Sequence, residues 1–238
     1  MYEKLHRARL GAAVLGVLAV GAGIATTGAV VAASKMPAEW DGLVKQQTKN
    51  SKGIDGVYVL PNADFKGYKQ FIMDPVKVEF QKNWQRDMND TIDISRKVDA
   101  DDIQRIRTGL GKMVQDGFTK ELKNNGYTLA TAPAADTLQL STAIVNLYVN
   151  APDLPSAGRV RTYTTSTGEM TLVLELRDSV TGQVLARAVD RAEDQNNFNQ
   201  MQWTNSVSNA ADADLAIRYW AKKLRTGLDN VTGKTPAK

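Results

Sequence analysis

The sequence contains no cysteine, and its only histidine is His6, close to the N-terminus. The absence of cysteine excludes disulfides, thiolate metal ligands and a thiol nucleophile. It also excludes the lipid-carrying cysteine that a bacterial lipoprotein has at its cleavage site. Without a histidine in the rest of the chain, a Ser-His-Asp triad and an ordinary zinc site are excluded as well. Carboxylate chemistry, a Ser-Lys pair or a role without catalysis remains.

The sequence also has little excess charge of either sign. The formal net charge is +4, and removal of residues 1–33 takes away Lys4, Arg7, Arg9 and Glu3, which lowers it to +2. So small a charge on a chain of this length gives no broad positive field for a polyanion. We therefore predict that the protein has no nucleic-acid partner.

The N-terminal residues have the pattern of a secretory signal peptide. The basic stretch "MYEKLHRAR" precedes an uncharged run from Leu10 to Ala33, which ends in small residues. The run is long enough to cross a membrane, but its five glycines and two threonines favour a cleaved signal over a retained anchor. We predict a signal peptide over residues 1–33 and export to the periplasm or cell envelope of a Gram-negative bacterium. Membrane contact is expected only through this segment, if it is not cleaved.

Hydrophobic periodicity in the rest of the chain predicts an α/β fold of the α+β type, with helices packed on a single mixed β-sheet. We expect a tether over residues 34–56, a single domain over 57–232 and a disordered tail over 233–238. The expected helices are 101–124 and 211–230. The expected strands are 57–60, 70–80, 137–149, 160–177 (as one long strand or two) and 183–191.

Local signals add detail to this fold. A Ser-Val-Thr-Gly turn between two alternating runs predicts a β-hairpin over 170–191. Proline cannot donate a hydrogen bond to a neighbouring strand, so Asp74-Pro75 predicts an interrupted or edge strand. The apolar alternation of 137–150 changes phase, which predicts a β-bulge. Asp99 or Asp101 is expected to cap the first of the two helices.

Three long irregular segments, 81–98, 151–168 and 192–210, contain the large side chains Trp84, Tyr163 and Trp203. Loops on a rigid scaffold often carry function, and aromatic side chains dominate the energetics of interfaces. These three residues are therefore candidate contacts for a partner protein. The alternative is that the segments fold back and pack on the sheet, and for the tryptophans we favour packing.

Carboxylates are the only candidates for catalysis or metal binding. A hydrolase would need two of Asp74, Asp87, Asp93 and Asp178 to meet in a cleft, one of them with a raised pKa. The stretch 87–98 loosely imitates a calcium loop, but Ile92 replaces the turn glycine and Val98 the bidentate glutamate. We therefore predict no catalytic residue, no metal site and no cofactor.

Several stretches resemble one bacterial family, the domain of unknown function 3313. They are "WDGLV" at 40–44, "VYVLPNADFKGYKQFIMDPVKVEFQKNW" at 57–84, "TAIVNLYVNAPD" at 142–153 and "GRVRTYTTSTGEMTLVLELRDSVTGQVLARAVDR" at 158–191. The resemblance implies an exported envelope protein with a mixed sheet and packed helices, and it brings no catalytic residues. Since the lipidation cysteine is missing here, lipid anchoring does not carry over.

These observations lead to two functional hypotheses. The first is a non-catalytic envelope protein that binds another envelope protein, as an accessory to a transport or surface assembly. The alternative is a secreted, carboxylate-dependent hydrolase that acts on glycan.

Overall fold

The computed structural model describes residues 39–47, 53–91, 97–149, 162–164, 168–193, 202–204 and 206–234. These residues form a nine-stranded mixed sheet, a separate two-stranded sheet and three helices. The predicted α+β fold class is confirmed. The predicted signal peptide lies outside the described residues, and so do positions 235–238 of the predicted tail.

The strands and helices are numbered separately in chain order. The strands are β1 (Glu39–Trp40), β2 (Leu43–Lys45), β3 (Gly56–Val59), β4 (Gln70–Met73), β5 (Lys77–Phe80), β6 (Thr128–Leu129), β7 (Thr137–Val149), β8 (Thr162–Thr164), β9 (Gly168–Asp178), β10 (Val184–Glu193) and β11 (Gln202–Thr204). The helices are α1 (Trp84–Thr91), α2 (Ala100–Asn124) and α3 (Ser206–Thr232). Among these residues, no helix is long and apolar enough to span a membrane.

The main sheet has the strand order β1-β2-β3-β10-β9-β7-β4-β6, and β5 also pairs with β7. Along the sheet, the neighbours in the part β1-β2-β3-β10-β9-β7 are antiparallel. The strands β4 and β5 run parallel to β7, and β6 runs parallel to β4. The strands β8 and β11 form the second sheet. Mixed pairing of this kind was expected from the sequence.

The predicted hairpin is confirmed and lies in the middle of the main sheet. The strands β9 and β10 pair along their length around a turn that contains Gly182, whose φ of 72° suits glycine. Leu172, Leu174 and Leu176 of β9 are buried in one cluster with the inner faces of α2 and α3. The main hydrophobic core therefore lies between one face of the sheet and these two helices.

The interruption at Asp74-Pro75 is also confirmed. The strands β4 and β5 both pair with β7, the first at Thr137–Leu140 and the second from Ala143 onwards. Between them the Asp74 N–H donates to the carbonyl of Leu140, while Pro75 has no N–H to donate.

The predicted phase change in β7 corresponds to a bulge. The pairing of β7 with β9 shifts between Val145 and Tyr148, and Asn146 has a positive φ of 52°. Asparagine tolerates this conformation better than most residues do. The bulge returns Leu147 to the core, where it is buried.

Both predicted helices are confirmed, and α3 extends beyond its predicted bounds at both ends. The helix α2 begins with a capping box, in which the carboxylate of Asp99 accepts from the N–H of Asp102 and that of Asp102 from the N–H of Asp99. Ile217, Trp220 and Leu228 of α3 are buried in the core.

Three expectations need correction. The segment 81–98 contains α1, because Trp84 and Met88, one turn apart, pack with Val98 in a second apolar cluster. The predicted tether contains β1 and β2, since Leu43 is buried and β2 pairs with β3. The segment 160–177 holds two strands, one of the two alternatives, but they lie in different sheets instead of one. The strand β11 lies in the segment 192–210, which was expected to be irregular, and it pairs with β8.

Candidate binding pocket

An open pocket of about 540 Å³ lies between α3 and the part of the sheet where β3 leaves β10. The two strands pair only over Gly56–Val59 and Ala186–Val189. Before Gly56 the chain turns towards α3, and the hydroxyl of Tyr219 donates a 2.5 Å hydrogen bond to the carbonyl of Gly53. The pocket is the space that this divergence leaves. Its lining residues are Gly53, Ile54, Asp55, Asp190, Arg191, Ala192, Ala216, Tyr219 and Trp220.

Two carboxylates hold the backbone together at the pocket. Oδ1 of Asp190 accepts from the backbone N–H of Asp55 at 3.0 Å, and Oδ2 of Asp55 accepts from the backbone N–H of Arg191 at 3.1 Å. In a continued strand pair, the N–H of Arg191 would donate to a backbone carbonyl of β3. Here it donates to the Asp55 carboxylate instead. The reciprocal bonds fix both carboxylates where the strands diverge.

At the bottom of the pocket, a buried hydrogen bond joins α3 to β10. The indole Nε1–H of Trp220 donates to Oδ2 of Asp190 at 2.7 Å. Asp190 is only 7% exposed, and the pKa of its carboxyl is raised, chiefly by burial and further by the charge of Asp55. Hydrogen bonds from Trp220 and Asp55 and the charge of Lys223 act in the opposite direction. Both carboxylate oxygens are held by donors of the protein itself.

Cations and apolar groups surround the rim. The ammonium of Lys223 lies 5.3 Å from the ring centroid of Tyr219, within the range of a cation–π contact. The guanidinium of Arg191 pairs with Glu169 at 2.5 Å. One turn before Tyr219 on α3, the side chain of Leu215 is 61% exposed. Leu215 is therefore an exposed apolar side chain on α3, one turn from a residue that lines the pocket.

The predicted contact residue Trp84 is packed inside the protein. It is 2% exposed, stacks on Phe80 with the ring centroids 4.3 Å apart, and donates its Nε1–H to the carbonyl of Val149. For this residue the structure shows the packing alternative. An indole that is already buried offers no surface to a partner in this conformation.

The other two predicted contact residues are brought together by the small second sheet. Tyr163 of β8 and Trp203 of β11 are paired residues of adjacent antiparallel strands. Their side chains lie outside the described residues. The contact that we predict at Tyr163 and Trp203 stays a prediction.

Of the four carboxylates considered for catalysis, the three that the structure describes do not meet in one cleft. Asp74 accepts hydrogen bonds from Gln139 and Ser141 of β7, and Asp87 pairs with Arg86 on the surface of α1. Asp178 closes the β9–β10 turn, and Asp93 lies outside the described residues. In the part of the chain that is described, no group of three His, Cys, Asp or Glu side chains could hold a metal ion.

The pair Asp55 and Asp190 was not predicted from the sequence. A signal for Asp190 was present, since it follows Ala186 and Ala188 at alternate positions of β10, where the pattern predicts an inward-facing side chain. A carboxylate at such a position needs a buried partner. The partner Trp220 could not be named because it lies on another element.

The fold and the pocket define an α+β protein with one large mixed sheet and a solvent-open pocket between that sheet and its C-terminal helix. The chain belongs to the DUF3313 family, whose model, described as a protein of unknown function, matches residues 32–224. The predicted family is confirmed.

Similar solved structures share little sequence with this chain. Protein XCC0632 from Xanthomonas campestris, of family DUF330, is 13% identical with a TM-score of 0.40, over 74% of this chain and 91% of that one. A minor lipoprotein from Acinetobacter baumannii is 10% identical with a TM-score of 0.30, over 71% and 97%. A DUF4136 family protein from Bacteroides thetaiotaomicron is 10% identical with a TM-score of 0.33, over 82% and 100%. No curated protein matches the sequence significantly.

Proposed function

We propose that this protein is a non-catalytic module of the bacterial envelope that binds another envelope protein through the pocket beside α3. The observation that carries the proposal is the pocket together with the exposed Tyr219 and Leu215 on the same helix. Binding sites are commonly concave, with apolar and aromatic side chains beside a few fixed polar groups, and this pocket combines Ile54, Ala216 and Tyr219 with two fixed carboxylates. Exposed apolar side chains next to it extend the contact surface.

The state of Asp190 favours binding over catalysis. A general acid must transfer its proton to the substrate, which requires access and a free oxygen. Both oxygens of Asp190 accept from donors of the protein, Asp55 and Trp220, and the carboxylate is buried. Using it as an acid would break a bond that holds α3 to the sheet.

Cross-linking in the envelope tests the binding function. A photo-reactive p-benzoylphenylalanine in place of Leu215 is expected to give one recurring adduct in intact cells. Val180, at the tip of the β9–β10 turn, is a matched control because it is 63% exposed, close to the 61% of Leu215. The adduct should be absent at Val180 and should be lost from the Leu215 probe when Tyr219→Ala is added. Equal adducts at both positions would contradict the proposal.

Export is the second part of the proposal, and it rests on the signal pattern of residues 1–33 and on the family resemblance. Fractionation of a Gram-negative host should place the protein in the periplasm or with the envelope, and N-terminal sequencing should start near Ser34. A chain that begins at Met1 in the inner membrane would support a retained anchor. Recovery from the cytoplasm would overturn export.

The alternative, a carboxylate-dependent glycan hydrolase, now depends on Asp55 and Asp190, because they form a carboxylate pair with one raised pKa. It predicts that the protein releases soluble fragments from isolated peptidoglycan, and that Asp55→Asn abolishes release while the fold is retained. We expect no release from the unmodified protein. Release that is lost in the variant would favour the hydrolase.

A further inference from the structure

The charged side chains that line the pocket differ in how available they are for contact with a ligand. The lining contains two carboxylates, Asp55 and Asp190, and one guanidinium, Arg191. The guanidinium is already paired with Glu169. Asp190 is buried, and both of its oxygens already accept from the protein. Among the charged groups of the lining, Asp55 is therefore the exposed carboxylate that a ligand can contact.

One carboxylate oxygen of Asp55 is available as a hydrogen-bond acceptor. Its Oδ2 accepts from the N–H of Arg191, and its side chain is exposed. In the part of the chain that the structure describes, no hydrogen bond is made to its Oδ1. A carboxylate oxygen in this state is a ready acceptor for an N–H of a charged ligand.

The aromatic side of the pocket also suits a cation. The ammonium of Lys223 already lies against the ring of Tyr219 and lowers the pKa of Asp190 through its charge. The chain's own lysine thus places an ammonium against this ring, at a distance typical of a cation–π contact. Ile54 and Ala216 supply apolar wall against which the methylene stem of a long basic side chain packs.

We propose that the pocket binds a basic side chain, lysine or arginine, of the partner protein. This inference deepens the proposed function and rests on it. An acidic or phosphorylated segment would place like charges beside Asp55 and is disfavoured. Lys223 then acts as a competitor that an incoming basic side chain displaces from Tyr219.

Binding can be followed by the NMR resonance of the Trp220 indole N–H, because Trp220 lines the bottom of the pocket. The experiment titrates the ¹⁵N-labelled protein with N-acetyl-lysine methylamide and records the Trp220 indole resonance, assigned with Trp220→Phe. The norleucine and glutamate analogues are the neutral and acidic controls. The lysine probe should shift the resonance at concentrations about tenfold lower than the norleucine probe, as expected for roughly one charge-assisted contact.

Two variants separate a cation site from an apolar one. Asp55→Asn should weaken the lysine probe about fivefold to tenfold and leave the norleucine probe unchanged. Lys223→Met should strengthen the lysine probe about twofold, because the competitor is removed. Asp116→Asn, an exposed carboxylate on α2 paired with Lys112, is the matched control and should have no effect.

Equal binding of the lysine and norleucine probes, or preference for the glutamate probe, would overturn the inference. Absence of any shift at Trp220 would overturn it too. The proposed function fails separately: if the Leu215 cross-link persists at full yield in Asp55→Asn, the binding surface stands and only the basic side chain is rejected. If the cross-link itself is absent, the proposed function is rejected.

Discussion

The Trp220 indole and the Asp190 carboxylate form a buried hydrogen bond of 2.7 Å that connects α3 to β10. Trp220→Phe keeps most of the apolar volume but leaves Oδ2 of Asp190 without its donor. An unsatisfied buried acceptor costs about 1–3 kcal/mol. We expect urea unfolding to show a loss of ~2 kcal/mol in the free energy of unfolding.

A double-mutant cycle with Asp190→Ala tests the pairing itself. Once the carboxylate is gone, Trp220→Phe should cost clearly less than it does in the unmodified protein, with a coupling energy of about 1 kcal/mol. Additive losses in the two single variants would show that the bond contributes nothing to stability and that Trp220 acts only by filling space.

An ion pair lies on the sheet face opposite the helices. Glu175 is 1% exposed, and its Oε2 accepts from Nη2 and Nε of Arg187 at 2.6 and 2.9 Å. Arg187 also contacts Asp41 and the ring of Trp40. Arg177 pairs with the other oxygen of Glu175, Oε1. We expect Arg187→Met to cost about 2–3 kcal/mol in denaturant unfolding, because Oε2 of the buried carboxylate loses its donors while Oε1 keeps the pair with Arg177.

Arg218→Met is the matched control for this prediction. Arg218 pairs with Asp214 on the exposed side of α3, and surface pairs of this kind contribute at most about 1 kcal/mol. Similar losses in the two arginine variants would show that the burial of Glu175 is not what makes Arg187 important.

Two glycines of α2 should respond to alanine in opposite ways. A Cβ on Gly117 would lie 2.6 Å from Cγ2 of the buried Ile217 on α3, whereas a Cβ on Gly109 would meet nothing within 4 Å. Gly109→Ala should raise the free energy of unfolding by about 0.5–1 kcal/mol, because alanine favours helix. Gly117→Ala should lower it by about 1–2 kcal/mol through overpacking. Stabilisation by both would contradict the close approach of the helices.

The elements that the sequence predicted well carry their signals locally. The β9–β10 hairpin has alternation and a turn within a short stretch, and the cap of α2 needs only Asp99 and Asp102, three residues apart. Proline at position 75 interrupts the strand through its missing N–H alone. In these cases the physical cause lies within a few residues of its effect.

The elements that were missed depend on distant partners. Trp84 begins a helix in a polar segment, and its indole donates to the carbonyl of Val149 on β7, 65 positions away in the chain. The Asp190 carboxylate bonds to the N–H of Asp55, which is 135 positions away in the chain. No local pattern specifies such pairs, so the pocket could be recognised only once the fold had brought them together.

Asp178 gives the chain a stability that depends on pH. Its Oδ2 accepts from the hydroxyl of Tyr68 at 2.7 Å, and its Oδ1 accepts from the N–H and hydroxyl of Thr181. These bonds, that of Tyr68 first, lower the pKa of Asp178 from 3.8 to about 2. The ionised form is thus favoured by folding. Its contribution is present above pH 4 and is lost as the pH falls from about 4 to about 2.

We therefore expect Asp178→Asn to lower the free energy of unfolding by about 1 kcal/mol at pH 7, a value reduced by solvent screening at this partly exposed site. The difference from the unmodified protein should shrink as the pH falls towards 3. Tyr68→Phe removes the hydrogen bond that lowers the pKa of Asp178 most. The carboxyl pKa, followed by ¹³C NMR, should then move back towards its ordinary value. A carboxyl that titrates near 3.8 in the unmodified protein would contradict the role assigned to Tyr68, and a loss that stays constant with pH would show that Asp178 holds the turn by shape alone.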